Sequence, residues 1–422
     1  MKKLLFITYF WPPSGKATLH WPLSIIKYLP ASGWQPEVLT VENESFTQKD
    51  ESLLEEVDPR LKVYKSRALE PFNIYRRFTG KEKDEQLIAS ETISTENKSL
   101  SHRLSIWIRM NIFVPDARIG WYLSAIKKGK EILTEGEFSA IVTIGPPHST
   151  HLIGMKLSKE ISIPHIPVLI DPWVDIIYYR NFKRTSPTLA LDNHLEKSVM
   201  MNVSSVIFVT KTTMDDYRKK YPSIKDKSNV LYWGYNEDDF KGVEPESNNK
   251  DYKLLMHAGN IFDYQNPPRL WERLQEMTSK EDIRIKFIGT VSPVIKNEIE
   301  RTELTRKTDF AGFLPYKEML SSLMKADFLL VCATEKRHVP GKLFEYLRTG
   351  KPILAFGDDN EEVKNILEKT NSGMIFRYDE DPKDFFEKAD SFNTDLQAVK
   401  EFDRRNIAAK FGDILDHQLK GR

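Results

Sequence analysis

One alternation constrains this chain more than any other feature, and it occurs twice. Leu4–Phe10 is a continuous β-rich apolar run, Pro12-Pro13-Ser14-Gly15 follows, Leu23, Ile25, Ile26 and Leu29 recur at helical spacing, and Val38–Val41 is a second apolar run. Pro22 suits the helix start and Gly33 its end. Strand, loop, helix, strand is a βαβ unit, whose crossover requires parallel strands in one sheet. The alternation continues with Phe138–Ile144, a helical His151–Ile161, Pro167–Ile170 and Ser205–Thr210. After the polar, unperiodic stretch Gly242–Lys250 it restarts, with Lys253–Met256 before Gly259, Ile283–Ile288 before Gly289, Phe328–Cys332, a helix from about Gly341, and Pro352–Phe356. Two doubly wound, Rossmann-like α/β domains are expected. They are placed at 1–241 and 253–400, joined by a linker over 242–252, and 401–422 is read as a C-terminal helix for which packing back on the N-terminal domain is one placement. The charged, Ser/Thr-rich stretch 80–101 is expected to be a mobile excursion.

A length of 422 residues suits two such domains. With 62 Lys+Arg against 61 Asp+Glu, the chain lacks the basic excess of a dedicated nucleic-acid binder, and no nucleic-acid partner is expected. The longest apolar runs, such as Phe328–Ala333, fall far below the roughly 18–20 residues that cross a bilayer. Met1–Trp11 has the basic pair and apolar stretch of a signal peptide but runs into Pro12-Pro13 with no small-x-small cleavage site, so a buried first strand explains it better. The single cysteine, Cys332, lies inside an apolar run, which points to a core residue and a cytoplasmic protein.

The most informative run is His338-Val339-Pro340-Gly341-Lys342-Leu343-Phe344-Glu345-Tyr346, continuing to Gly350-Lys351-Pro352. Gly341 and Lys342 fall at a helix start, where free amides and the helix dipole hold phosphate oxygens and the Lys342 ammonium adds a point charge. Glu345, one turn on, can accept hydrogen bonds from vicinal hydroxyls such as those of a ribose. An ordinary amphipathic helix with a solvated Glu is the competing interpretation.

This run resembles the donor-nucleotide motif of the GT-B glycosyltransferases, in particular the retaining family 4 group. The likeness extends to Ala258-Gly259-Asn260 with Gln265-Asn266, to Phe287-Ile288-Gly289, to Phe310–Met319 around Gly312-Phe313-Leu314, and to Val230–Asn236. In the first half Tyr9–Gly15, Val114-Pro115-Asp116, Gly145–His151 and Asp171-Pro172-Trp173 fall in the order expected of bacterial cell-surface polysaccharide transferases. The resemblance implies two domains facing each other across a cleft and a retaining, metal-independent, hexosyltransferase-type activity. A nucleotide-diphosphate sugar would be the donor and a saccharide or polyprenyl-linked lipid the acceptor, with no cofactor. It implies donor-binding roles for Gly259, Asn260, Gly289, Gly312, Phe313, Leu314, Arg337, Pro340, Gly341, Lys342 and Glu345. Lys342 would stabilise the leaving phosphate and no protein nucleophile is assigned. Gly15, Lys16, His148 and Asp171 are placed on the acceptor side.

The sequence departs from the family pattern in three places. Arg337 stands where a first Glu is usual, Asn260, Tyr264 and Gln265 fill a loop that often carries an Arg or Lys pair, and Ile170 replaces the Arg before Asp-Pro-Trp. A 2-epimerase on the same fold and a scaffold that lost turnover are therefore carried as rivals. Ser14-Gly15-Lys16-Ala17 lacks the glycine and hydroxyl of a P-loop. His148 and His151, and the acidic pairs Asp215-Asp216, Asp238-Asp239 and Asp358-Asp359, complete no spaced ligand set, so no metal is assigned.

Between Pro59 and Lys83 lie eight basic residues (Arg60, Lys62, Lys65, Arg67, Arg76, Arg77, Lys81, Lys83) against two acidic ones. Trp107, Ile108, Ile112, Phe113, Trp121 and Tyr122 add apolar weight nearby. Together they could form a face for peripheral contact with the anionic inner surface of the plasma membrane, or equally a core helix beside a solvated loop.

Overall fold

In the computed structural model the described residues are 1–46, 48–69, 100–176, 179, 182–243, 251–278 and 281–420. Most of the 80–101 excursion, together with Arg76, Arg77, Lys81 and Lys83, lies outside them.

The chain divides into two units, Met1–Leu231 with Ala408–Arg422, and Tyr232–Ile407. The first holds a parallel sheet of β1 (Lys2–Ile7), β2 (Trp34–Val41), β3 (Val63–Ser66), β4 (Phe138–Gly145), β5 (His165–Leu169), β6 (Val206–Phe208) and β7 (Ser228–Val230), ordered β3-β2-β1-β4-β5-β6-β7. The second holds β8 (Lys253–Ala258), β9 (Ile283–Ile288), β10 (Thr308–Gly312), β11 (Phe328–Cys332), β12 (Ile353–Phe356) and β13 (Gly373–Phe376), ordered β10-β9-β8-β11-β12-β13. The continuous apolar runs of the central strands, such as β4, β11 and β12, are buried on both faces, as parallel strands under helices must be, while the edge strands β3, β10 and β13 are only partly buried. In each sheet the strand order reverses beside its first strand, between β1 and β4 and between β8 and β11.

The boundaries depart from the expected ones for physical reasons. β1 ends at Ile7, not Phe10, because Tyr9 leaves the ladder to pack edge-on against Trp121, at 5.6 Å, and Phe46. The first helix, His20–Tyr28, passes into a tighter turn at Pro30 before Gly33 closes it in the left-handed region. The unit boundary precedes the polar linker because Tyr235 and Phe240 belong to the second core and Tyr235 exchanges backbone hydrogen bonds with Phe402 and Arg404. The last helix, Arg404–Lys420, spans the division: Phe411 packs on Phe6 and Trp21, and Asp416 accepts from Lys2 Nζ and Trp34 Nε1 at 2.8 Å.

Candidate functional site

In the second unit, three adjacent strands leave the sheet through glycines at positive φ: Gly259 (102°) after β8, Gly289 (106°) after β9 and Gly312 (68°) ending β10. The exits are stitched together, Gly259 N donating to Ile288 O at 2.7 Å and Gly289 N to Gly312 O at 2.6 Å. A Cβ on Gly289 would stand 2.8 Å from the Gly259 carbonyl, and one on Gly259 would stand 2.7 Å from Lys342 Nζ. Only glycine satisfies both the conformation and the space. The result is a backbone-lined floor at the carboxyl end of the sheet, next to the point where strand order reverses and where open α/β sheets bind ligands.

The helix Lys342–Thr349 follows β11 and turns Leu343, Phe344, Tyr346 and Leu347 into the core. Tyr346 Oη accepts from Ala258 N at 2.7 Å, which ties the helix to the end of β8. Gly341 is its N-cap, placed so that a Cβ would meet the Trp233 indole at 3.0 Å. Lys342 Nζ lies over Gly259, 3.1 Å from His257 Nε2. Burial brings the Lys342 ammonium down to about 8, against the weaker pull of Cys332 and Glu345.

Glu345 is not the solvated residue of the competing interpretation. It is partly buried, and Tyr316 Oη donates to its Oε1 at 2.7 Å. Burial raises the Glu345 carboxyl, with Tyr316 working against the shift. The Tyr316 side chain is 45 % exposed, yet its hydroxyl end lies near Glu345 and Asp239, and the phenol is pushed up. Arg348 makes a forked contact with Glu237, 2.6 Å at each oxygen, fixing the 237–240 turn on the helix.

The remaining candidates of this unit take distinct places. Asn260 Oδ1 accepts from Thr290 N at 3.2 Å, so Asn260 clips two strand exits together. Phe313 is 88 % exposed beside Gly312, while Leu314 packs on the core. Pro340 supplies the carbonyl that receives Leu343 N. Arg337 Nε donates to Glu335 at 3.2 Å, and both side chains are largely buried. His257, Tyr316 and Tyr346 contact the candidate residues but were not singled out from the sequence; Tyr316 and Tyr346 lie inside runs already quoted, whereas nothing local marks His257.

In the first unit, His148 and Gly15 follow the strands that flank the reversal, β4 and β1. Gly15 N donates to Gln48 O at 3.0 Å, and Lys16 caps the turn Ala17–Leu19. His148, placed on the acceptor side, precedes the helix Ser149–Ile161, is 5 % exposed and stacks on Trp173 at 5.1 Å. Burial drives it down to about 3, so it is neutral. Asp171 is partly buried before that tryptophan. Asp116 caps the same helix, accepting from Ser149 N at 2.8 Å and Ser149 Oγ at 3.0 Å, a role its Val-Pro-Asp setting did not reveal. Trp121, counted with a membrane-facing set, is fully buried; Leu104 and Trp107 on the helix Leu100–Asn111, and Ile112 just after it, are 57 %, 46 % and 59 % exposed. Among the described residues no group of three or more His, Cys, Asp or Glu could hold a metal ion, and no helix is long and apolar enough to cross a membrane.

Comparison with known proteins adds a family to this geometry. Residues 239–408 match the family model described as glycosyl transferases group 1. No curated protein gives a significant match. Among solved structures, Anabaena HepE in complex with UDP is 13 % identical with a TM-score of 0.64, over 99 % of this chain and 100 % of that one. Sucrose-phosphate synthase from Thermosynechococcus elongatus is 12 % identical with a TM-score of 0.60 over 100 % of both chains. The lipopolysaccharide outer core galactosyltransferase WaaB is 11 % identical with a TM-score of 0.60, over 98 % of this chain and 99 % of that one. These likenesses show the GT-B fold.

Proposed function

We propose that this chain, whose residues 239–408 are a group 1 glycosyl transferase domain, moves a sugar from a nucleotide-diphosphate sugar to a saccharide or lipid-linked acceptor of the cell surface. The observation that carries this reading is the glycine floor of Gly259, Gly289 and Gly312 with the Lys342 ammonium held above it. Breaking a glycosidic bond to a diphosphate leaves negative charge on the leaving oxygens. Prepositioned donors in a partly desolvated site stabilise that charge more in the transition state than in the ground state. Lys342 supplies the cation, the open end of its helix supplies the amides of Gly341 and Lys342, and Glu345 supplies an acceptor for ribose hydroxyls. HepE is described in complex with UDP and with UDP-glucose, which makes a uridine nucleotide the first donor to try.

On this reading the first unit receives the acceptor near the carboxyl ends of its strands, with Gly15 and Lys16 after β1, His148 after β4 and Asp171 after β5. The exposed Leu104, Trp107 and Ile112, with the basic stretch that precedes them, support peripheral contact with an anionic bilayer, which suits a lipid-linked acceptor.

The test is incubation with a panel of nucleotide sugars and saccharide or polyprenyl-phosphate acceptors. Acceptor-dependent release of nucleoside diphosphate, with the anomeric configuration kept in the product, supports transfer. C2 isomerisation of the donor, or binding without turnover, refutes it.

A further inference from the structure

His257 lies on β8, is 2 % exposed, and uses both ring nitrogens. Its Nδ1 stands 2.9 Å from Leu330 O on β11 and its Nε2 3.1 Å from Lys342 Nζ. A carbonyl oxygen can only accept, so Nδ1 carries the proton and Nε2 presents a lone pair to the ammonium. Burial, foremost, and the adjacent Lys342 charge oppose protonation of the ring and outweigh the backbone of Leu330, Asn260 and Gly259, which favours it. The imidazole is therefore a neutral acceptor across the physiological range, locked in one tautomer by the strand beside it.

Lysine is a flexible cation on four methylenes, and a flexible cation can follow a phosphate without favouring the transition state. Here the ammonium is confined: His257 holds one of its three N–H bonds, and Gly259, lacking a side chain, leaves the space that Nζ occupies. We infer that His257 is a positioning residue, which fixes the direction of the Lys342 ammonium above Gly259 so that its remaining N–H bonds face the leaving diphosphate. The inference rests on the proposed role of Lys342 and adds to it the residue that sets its geometry. In this role His257 acts through Lys342, its ring nitrogens being taken by Leu330 O and Lys342 Nζ.

The tests are His257→Gln, which can restore an acceptor near the Nε2 position, and His257→Asn, which can restore only the donor to Leu330. With UDP-sugar as donor, His257→Asn is expected to lower kcat at saturating donor by about tenfold or more, in line with the cost of small misplacements. KM should change less, and the alkaline limb of kcat/KM should shift to lower pH. His257→Gln is expected to recover kcat to within about threefold, the direct acceptor contact being the part that matters. Equal turnover in all three proteins overturns the inference, as does equal impairment of both variants with an unmoved limb, which marks a purely structural histidine. Should His257→Asn not fold, imidazole nitrogen NMR of the wild type decides: the Nδ1–H tautomer at pH 6–8 with an Nε2 resonance that moves on adding UDP supports the role. The Nε2–H tautomer or an unmoved resonance overturns it. Lys342→Met keeps the two ideas apart, since unchanged UDP affinity and turnover there removes the cation role whatever His257 does.

Discussion

The Tyr316 hydroxyl donates to the Glu345 carboxylate at 2.7 Å, joining the segment after β10 to the exposed face of the helix that follows β11. This contact keeps a carboxylate usable in a partly buried place, because a hydrogen bond to the charged form opposes the desolvation that would protonate it.

Glu345→Gln therefore separates binding from folding. The amide keeps the Tyr316 contact and removes a charge that burial disfavours, so the apo melting temperature should stay the same or rise. Loss of a charge-assisted hydrogen bond of about 1.5–3 kcal/mol should weaken nucleoside diphosphate binding by roughly 10- to 150-fold. Because the folded carboxyl lies above its ordinary value, its charge costs stability at neutral pH and the cost is relieved as pH falls. Glu345→Gln should abolish that part of the acid dependence in denaturant melts of the two proteins.

Lys342→Met should lower turnover strongly at saturating donor while stabilising the apo protein. A lysine brought from 10.5 to about 8 is disfavoured when charged, by roughly 2–4 kcal/mol. The sign follows from linkage: the cost is full below pH 8, declines as pH rises, and is gone above the unfolded value of 10.5. The stability gap between variant and wild type should therefore narrow between pH 8 and 10 in urea melts, and a pH-independent gap would contradict the assignment.

Two of the three strand-exit glycines, Gly289 and Gly259, should respond differently to alanine. Gly289→Ala drives a Cβ into the Gly259 backbone at 2.8 Å, where nothing can give, and should cost about 3 kcal/mol or more in stability. Gly259→Ala meets the end of a flexible lysine. It carries backbone strain of about 1–3 kcal/mol and should lose turnover out of proportion to stability as Nζ is displaced. Thermal melts and steady-state kinetics on both variants check the contrast.

Membrane contact through the first unit is tested on vesicles. Trp107→Ser with Ile112→Ser should reduce sedimentation with anionic vesicles, and salt should release the wild-type protein, since each basic charge near the surface contributes about 1 kcal/mol. Equal recovery on neutral and anionic vesicles would leave those side chains without a lipid role.

Strand type and the strand–helix alternation could be read from the sequence because buried parallel strands are largely apolar, whereas the order of strands in each sheet was not read. Phe328–Cys332 was placed to the residue, bounded by Asp327 and the turn after Ala333. The end of β1 was misplaced because Tyr9 is as apolar as a strand residue and leaves the sheet for partners, Trp121 and Phe46, that local pattern cannot supply. Gly341, Lys342 and Glu345 were legible from helix-start chemistry, but the burial of Glu345 depends on Tyr316 and Asp239 from distant segments. His257 was illegible for the same reason, since its partner Lys342 is 85 positions away. The stacking of His148 on Trp173 is likewise a tertiary contact that local pattern does not supply.

The central claim is that the second unit holds a nucleotide diphosphate between Lys342 and Glu345, and calorimetric titration with UDP and the other nucleoside diphosphates tests it most directly. The account predicts that one of them binds the wild-type protein at a single site, and that Lys342→Met and Glu345→Gln each weaken it by about tenfold or more while both variants remain folded. A wild-type protein that binds none of them, or binding indifferent to both substitutions, would contradict it.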